Sequence, residues 1–160
     1  MNKMAYAHIF NLFPMAVAGL FMATPAAAEG LVDLSSKVNV ERKVIENGVS
    51  TLRLAEPEDV VPGDRLVFST SYRNDSGEAV QNFVVTNPIP SAVALLQDDA
   101  SFEVSVDGGK TYASLASLSV SDGDASMRPA EPADVTHLRW TLASIAAGQN
   151  GTLTYHAIVR

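Results

Sequence analysis

The sequence predicts an all-β domain, an antiparallel sandwich of two sheets, preceded by an N-terminal signal peptide. Three observations point to the sandwich. Apolar and polar residues alternate over several short segments, turn-forming residues separate these segments, and no stretch after residue 28 keeps the apolar spacing of an ordinary helix. Several short strands joined by turns favour two stacked sheets, whose inner faces collect the alternating apolar side chains.

The clearest strand is predicted at residues 65–73. Leu66, Phe68, Thr70 and Tyr72 share one face, and the other face carries arginines and serines with Val67 as its one apolar member. Turn formers at 74–78 lead into a β-branched run at 79–87, which Pro88 ends. We expect these two strands to form a hairpin.

Two more strands are predicted at the start of the domain. Val38 and Val40 alternate with polar residues, and a weaker strand follows at 49–54. Asn47 and Gly48 lie between them and suit a tight turn with positive φ angles.

The middle of the chain predicts a further strand and turn. Phe102, Val104 and Val106 alternate with polar residues. The sequence Asp-Gly-Gly-Lys at 107–110 supplies the positive φ angles of a tight turn, after which 111–113 would return beside the strand.

The last third of the chain predicts two strands and one long loop. Residues 136–142 place the only tryptophan, Trp140, on their apolar side, so we expect it in the core. Turn formers at 147–151 lead into a final strand whose apolar face covers 153–159. The segment 114–133 fits no strand and predicts a long loop, the most mobile part of the domain.

The N-terminus has the charge pattern of a signal peptide. Residues 4–28 contain no Asp, Glu, Lys or Arg, Lys3 makes the N-terminus positive, and small residues precede a plausible cleavage site after Ala28. These features predict a signal peptide at 1–28, a single mature domain at 29–160, and export. An uncleaved membrane anchor is the alternative, because the uncharged segment is long enough to cross a bilayer.

Composition excludes several classes of function. The 18 acidic residues outnumber the 11 basic ones, and the formal net charge of −7 opposes broad attraction to nucleic acid or anionic lipid. The chain has no cysteine, so it can form no disulfide, thiolate metal site or cysteine nucleophile. We therefore expect no nucleic-acid partner, no membrane span once the signal peptide is removed, and no cofactor.

A series of short motifs runs through the mature chain in a fixed order. They are Val61-Pro-Gly-Asp64, Asn74-x-x-Gly77, Asn82-Phe-Val-Val-Thr-Asn87-Pro-Ile-Pro90, Phe102-x-Val-Ser-Val-Asp-Gly-Gly-Lys-Thr-Tyr112 and Trp140-x-Leu-x-x-Ile-x-Ala-Gly-Gln-x-Gly-Thr-Leu153. Their order and spacing resemble the bacterial conserved repeat domain, known as domain of unknown function eleven, over residues 37–159. Each motif also has an architectural explanation, because Pro, Gly and Asn shape turns and stop strands.

This resemblance implies a fold and a role. Members of that family are immunoglobulin-like sandwiches of exported and cell-surface proteins, often in tandem copies, and no set of catalytic residues is associated with them. The resemblance therefore implies a scaffold or adhesive module. This chain departs from the usual pattern in having Asn87 where an Asp is common, and in carrying a single copy.

The mature chain contains two histidines, His137 and His156. Alternation places both on the outer faces of their strands, whereas a catalytic histidine needs a cleft and an orienting carboxylate. We interpret them as solvated side chains. If the last two strands paired with His137 opposite His156, the two imidazoles could share a transition metal, although no third ligand is evident.

Acidic loop residues offer a second candidate metal site. Asp122 and Asp124, with Asp98 and Asp99 nearby, could supply oxygen ligands to calcium, but the spacing lacks the twelve-residue loop signature of EF-hand calcium sites. Solvated loop acids are our preferred interpretation. The alternative function is a small carbohydrate- or calcium-binding module that uses the loop at 122–134.

Together these observations predict a non-enzymatic, exported structural or interaction module of the bacterial cell envelope, in the periplasm, at the cell surface or outside the cell. Its partner would be an unknown envelope or surface protein, and its oligomeric state stays open. Because open sandwiches present unpaired strand edges, we expect association through an edge strand, at 38–45 or 153–159.

Overall fold

The computed structural model describes residues 32–96, 101–123 and 126–160. Within these ranges it contains ten strands: β1 Val32–Glu46, β2 Val49–Ala55, β3 Arg65–Asn74, β4 Val80–Pro88, β5 Val93–Leu96, β6 Glu103–Ser105, β7 Ser119–Ser121, β8 Met127–Pro129, β9 His137–Ile145 and β10 Asn150–Val159. Helical structure there is limited to two 3₁₀ turns, Leu115–Ser117 and Pro132–Asp134. The prediction of an all-β fold with little helix is confirmed.

The strands form two antiparallel sheets and a short ribbon. The first sheet has the order β2, β1, β3, β10, β5, the second has the order β4, β9, β6, and β7 pairs with β8. The predicted alternation is seen along β3, where Leu66 and Thr70 are buried while Ser71 and Arg73 are exposed. Alternate residues of β3 therefore face the interior.

The main core lies between the two sheets. Its buried residues come from both sheets and from the loops at their ends: Val40, Leu66, Val85, Val93, Leu95, Val104, Leu115, Val135, Leu138, Trp140, Tyr155 and Ala157. The ring of Tyr155 stacks on Phe68 at 4.6 Å between centroids, and Trp140 of the second sheet lies 6.2 Å from Tyr155. The prediction that Trp140 belongs to the core is confirmed.

One predicted pairing of strands is wrong, and another that the sequence left open does not occur. β3 and β4 form no hairpin, because β3 pairs with β1 and β10 whereas β4 pairs with β9. The last two strands also lie in different sheets, since β9 pairs with β4 and β6, and β10 pairs with β3 and β5. The turn formers at 75–79 and 146–149 therefore carry the chain from one sheet to the other, which lets consecutive strands face each other across the core.

One predicted tight turn is confirmed, and the positive φ angles predicted for a second one are present. Glu46 pairs with Val49, and the residues between them, Asn47 and Gly48, have φ angles of 50° and 78°, as a two-residue hairpin turn requires. Gly108 and Gly109 have φ angles of 77° and 85°. The segment that follows them returns to β6 through a single bridge between Val104 and Ala113.

The segment 114–133 is more ordered than the predicted loop. It contains a 3₁₀ turn, the ribbon of β7 and β8, and the start of a second 3₁₀ turn. Leu115 is buried, and Leu118 and Ala130 pack against the core. These apolar contacts, which lack any regular spacing in the sequence, hold the segment on the domain.

Residues 1–31 lie outside the described ranges, so the signal peptide at 1–28 stays a prediction. Over the part of the chain that the structure describes, no helix has the length and hydrophobicity needed to cross a membrane.

Candidate interaction surface

A hairpin extends beyond the rest of the first sheet. Residues 32–40 of β1 pair with β3, whereas residues 40–46 pair with β2. β3 begins at Arg65, whose side chain bonds to Glu41 at 2.9 Å. Among the described strands, none continues β3 alongside residues 42–46 of β1. We call residues 41–55 the hairpin arm.

The hairpin arm exposes large apolar side chains. All seven residues of β2 are exposed. The exposed fraction is 72% for Ile45, 62% for Val49, 69% for Leu52 and 59% for Leu54. Scattered apolar residues are normal on protein surfaces, but a contiguous apolar patch rimmed by polar residues is typical of an interaction site.

Three of these side chains share one face of the arm. The register pairs Ile45 with Ser50 and Lys43 with Leu52. Directly paired residues lie on the same face, and so do residues two apart on one strand. Ile45, Leu52 and Leu54 therefore form one apolar stripe across the two strands.

Four charged side chains of the arm, those of Glu41, Arg42, Glu46 and Arg53, have partners within the molecule. Arg42 lies 2.8 Å from the carboxylate of Asp64, and its guanidinium donates to the carbonyl oxygen of Asp59 at 2.6 Å. Arg53 lies 2.7 Å from Glu46. The hydrogen bond from Arg42 lowers the pKa of Asp64 below its usual value. The contacts of Arg42 hold the base of the arm, and all of these contacts leave the apolar stripe exposed.

The turn at the base of the arm follows the predicted Val-Pro-Gly-Asp motif. The backbone N–H of Asp64 donates to the carbonyl oxygen of Val61 at 3.0 Å, and Gly63 has a φ of 93°. This is a turn with Pro62 at its second position and Gly63 at its third, where a positive φ is needed. The turn is joined to the end of β10, since Gly63 N–H donates to the carbonyl oxygen of Val159 at 2.9 Å.

The open edges of the first sheet agree in part with the predicted ones. The prediction of an edge at 153–159 is wrong for His156–Val159, where β10 lies between β3 and β5. The prediction at 38–45 falls on β1, which pairs with both neighbours only at Val40, so residues 41–45 have β2 on one side and no described strand on the other. The edge strands of the whole sheet are β2 and β5, and β2 contains one charged residue, Arg53, and no proline that would block pairing.

Sequence reasoning identified β2 as a strand but missed its apolar stripe. A signal was present, because Ser50, Leu52 and Leu54 alternate with Thr51 and Arg53. In a half-buried strand the apolar face points to the core, so the pattern alone gave no reason to place Leu52 and Leu54 in solvent.

In contrast with the arm, a polar side chain is fully buried where β3 ends. The side-chain nitrogen of Asn74 donates to the carbonyl oxygens of Glu78, Ile145 and Ala146 at 2.8, 2.9 and 3.1 Å. Its side-chain oxygen accepts hydrogen bonds from the backbone N–H and the hydroxyl of Ser76, at 3.0 and 2.6 Å. We call these residues the Asn74 corner.

The backbone of Asn74 completes this arrangement. Its N–H donates to the carbonyl oxygen of Gln149, and its carbonyl oxygen accepts from the N–H of Gly148, both at 2.9 Å. One residue thus joins the end of β3 to both loops that cross between the sheets. Its role is structural, because every polar group it offers is used inside the fold.

The two histidines lie in different sheets. His137 is on β9, with Nδ1 3.1 Å from the hydroxyl of Thr136, and His156 is on β10, with Nε2 3.9 Å from a carboxylate oxygen of Glu41. The pairing that a shared transition-metal site would need is therefore absent. Over the described residues, no group of three or more His, Asp or Glu side chains is placed to hold a metal ion.

The acidic side chains of the loop at 122–134 lie around an arginine of the same loop, Arg128. Arg128 donates to both carboxylate oxygens of Asp134, at 2.7 and 2.8 Å, and lies 3.9 Å from Asp122. The hydrogen bonds from Arg128 lower the pKa of Asp134 to about 2. Asp124 lies outside the described residues, as do residues 97–100 with the other two candidate carboxylates. The carboxylates that are described thus have an arginine partner where calcium would need free oxygens.

The Asp-Gly-Gly-Lys turn is held by its own aspartate. The carboxylate of Asp107 accepts hydrogen bonds from the hydroxyls of Ser105 and Thr111, both at 2.7 Å, and from the backbone N–H of Lys110 at 3.0 Å. The hydrogen bond from the Ser105 hydroxyl is the main reason why the pKa of Asp107 lies far below its usual value. The carboxylate therefore stabilises the turn and has little capacity left for a ligand.

Comparison with known proteins adds no assignment, because no family model, no curated protein and no solved structure matches the chain. The resemblance to the conserved repeat domain stays a prediction.

Proposed function

We propose that this protein is a non-enzymatic, exported interaction module of the cell envelope or cell surface, and that it binds other proteins through its hairpin arm. The observation that carries the proposal is the exposed apolar stripe of Ile45, Leu52 and Leu54 beside the open edge of β2. An open strand edge offers backbone hydrogen bonds, and the apolar side chains next to it offer area to bury.

The state of the polar residues supports a role without catalysis. Among the described residues, no buried side-chain nitrogen or oxygen lacks a hydrogen-bond partner. The carboxylates with the largest pKa shifts, Asp107 and Asp134, are bonded to neighbouring side chains and backbone groups of their own loops. Perturbed pKa values often mark active sites, but structural networks of this kind produce them as well.

The proposal includes an immunoglobulin-like sandwich behind a signal peptide at 1–28. The two antiparallel sheets around one core support the sandwich, and the positive φ angles of Gly63, Gly108 and Gly109 support the turn roles given to the resembling motifs. Export is supported by the charge pattern of the first 28 residues.

Site-specific cross-linking in the cell tests this proposal. A photoreactive amino acid would replace Leu52 in the arm or, as a matched control, Met127, which is 66% exposed on the ribbon. We expect discrete protein cross-links from position 52 and none above background from position 127. Equal cross-linking from the two positions would contradict the proposal.

The alternative of a small carbohydrate- or calcium-binding module at 122–134 receives less support, because Arg128 already pairs with Asp134. Calcium titration followed by thermal unfolding tests it. A rise of several degrees in the melting temperature would favour the alternative, and an unchanged melting temperature would remove its calcium form.

A further inference from the structure

The sequence of the open edge is complementary to itself. We infer that β2 pairs antiparallel with β2 of a second copy of this chain, across a two-fold axis at Leu52, so that the first sheets of two molecules join into one. This inference rests on the proposed function, because it names the partner of the same hairpin arm.

The backbone of β2 is oriented for such pairing. In a hairpin with a two-residue turn, the residues that flank the turn form a hydrogen-bonded pair, and hydrogen-bonded and non-hydrogen-bonded pairs then alternate along the ladder. Glu46 and Val49 flank the turn. The N–H and C=O groups of Ser50, Leu52 and Leu54 therefore point away from β1, toward the open side of the sheet.

One register uses the whole edge. Leu52 is the middle residue of the seven in β2, so an axis at Leu52 pairs every residue of the strand with a residue of the second copy. Leu52 then lies opposite Leu52 of the second copy, Ser50 opposite Leu54, and Thr51 opposite Arg53. No like charges meet in this register.

The neighbouring registers are less favourable. An axis at Arg53 places two arginines directly opposite each other, which destabilises an antiparallel pair. An axis at Thr51 leaves Leu54 and Ala55 without a partner in β2 of the second copy. The self-pairing at Leu52 is therefore the register that the residues of the strand select.

The apolar stripe continues across this axis. Ile45, Leu52 and Leu54 share one face of the arm, and a two-fold axis perpendicular to the sheet keeps that face on the same side in both copies. The stripes of the two molecules then join into one patch of six large apolar side chains, which removes apolar surface from water in both copies.

Charge also favours the arm over the rest of the surface. The arm contains Glu41 and Glu46 against Arg42, Lys43 and Arg53, a formal charge of +1, whereas the whole chain carries −7. Two such chains repel each other when they approach at random. Two arms therefore meet with less repulsion than the net charges of the two chains would produce.

The contact is small. Stable dimers usually bury about 1,200–2,000 Å² in total, and the inferred contact consists of a single pair of seven-residue edge strands. We therefore expect a weak dimer whose population depends on concentration.

A single-cysteine scan of the full chain reads the register directly, because the natural chain has no cysteine. In the inferred dimer, the two Cα atoms at position 52 are about 5.5 Å apart, which is within the range that a disulfide spans. Leu52→Cys should form a disulfide-linked dimer about tenfold more efficiently than Met127→Cys under the same oxidation, since only the first pair is held within this distance.

Neighbouring positions provide the internal controls. Ser50→Cys alone and Leu54→Cys alone should stay monomeric, because each lies about 13 Å along the strand from its own counterpart. A mixture of the two variants should form the mixed disulfide, because Ser50 faces Leu54 across the axis. Equal cross-linking of Leu52→Cys and Met127→Cys, or strongest cross-linking of Arg53→Cys, would overturn the inference.

Light scattering on a charged variant repeats the test without oxidation. Leu52→Arg places two positive charges on the axis, so the full chain should stay monomeric at concentrations at which the natural chain dimerises. Because Leu52 is exposed, unfolding of this variant should match that of the natural chain. A natural chain that stays monomeric at every accessible concentration would also overturn the inference.

The inference and the proposed function fail in different ways. If position 52 cross-links in the cell to a different protein while Leu52→Cys gives no homodimer, the inference is wrong and the proposed function stands. If position 52 cross-links in the cell no better than position 127, both are wrong.

Discussion

The hairpin arm and the Asn74 corner reverse the usual places of polar and apolar side chains. At the corner, the polar side chain of Asn74 is fully buried, and the backbone of two loops satisfies its hydrogen bonds. In the arm, Ile45, Leu52 and Leu54 are more than half exposed and pack against no core cluster.

We interpret the Asn74 corner as a region that stabilises the fold and the hairpin arm as a region that binds a partner. A buried polar group whose hydrogen bonds are all made inside the fold contributes to stability and has nothing left to offer a ligand. An exposed apolar stripe contributes little to stability and offers surface to a partner. The two regions should therefore respond in opposite ways to substitution, and the predictions below test this contrast.

The largest difference is expected between two leucines that lose the same atoms. Leu138→Ala should lower the free energy of unfolding by about 3–4 kcal/mol, because Leu138 is fully buried and its removal leaves a cavity. Leu52→Ala should change it by less than about 0.5 kcal/mol, because Leu52 is already in contact with water. Urea unfolding of both variants checks this, and equal losses would show that the arm packs as tightly as the core.

The next effect is expected at the corner. Asn74→Ala should lower the free energy of unfolding by about 2–3 kcal/mol, because it leaves the buried carbonyl oxygen of Ile145 without its side-chain donor. Asn150→Ala, at an exposed asparagine on β10, is the matched control and should stay within about 0.5 kcal/mol of the natural chain. Similar stability of the two variants would contradict a structural role for the corner.

A smaller effect is expected in the loop at 122–134. Asp134→Asn should cost about 1 kcal/mol near neutral pH, because it removes the charge that pairs with Arg128, whose partial exposure lets water screen the pair. The pKa of Asp134 is lowered from 3.8 to about 2 in the folded chain. Its ionised form therefore stabilises the fold fully at pH values above 3.8, the pKa in the unfolded chain.

The pH dependence of that variant shows whether the ionised carboxylate of Asp134 stabilises the fold. The difference in unfolding free energy between the natural chain and Asp134→Asn should be constant above about pH 4, and it should shrink as the pH falls from about 4 to about 2, where the native carboxyl becomes protonated. Urea unfolding across this range measures it. A difference that grows toward low pH would contradict the pairing with Arg128.

Local sequence patterns predicted most of the strands of this fold. Alternation identified β3, β9 and β10, and Asn47-Gly48 identified the hairpin of β1 and β2, because strand period and turn chemistry depend on neighbouring residues. The hairpin predicted after β3 was wrong, and the sequence left open whether β9 and β10 share a sheet. The residues of those loops suit a turn within a sheet as well as a crossing between sheets.

Contacts between residues distant in sequence decide which strands share a sheet, which the local pattern does not determine. The Asn74 side chain bonds to carbonyl oxygens 71 and 72 residues further along the chain, and this fixes both crossings. The arm was missed for a related reason. Its exposure follows from the length of β1, whose 15 residues extend past the start of β3, and sequence alone does not give the register of the two strands.

The most direct test of the central claim combines stability and association in one variant. In Ile45→Thr/Leu52→Thr/Leu54→Thr, threonine keeps the preference for strand structure and removes the apolar stripe. We expect the free energy of unfolding to stay within about 1 kcal/mol of the natural chain, while association in the cell envelope and with a second copy is lost. A loss of stability comparable to that of Leu138→Ala, or association that survives all three substitutions, would contradict the account.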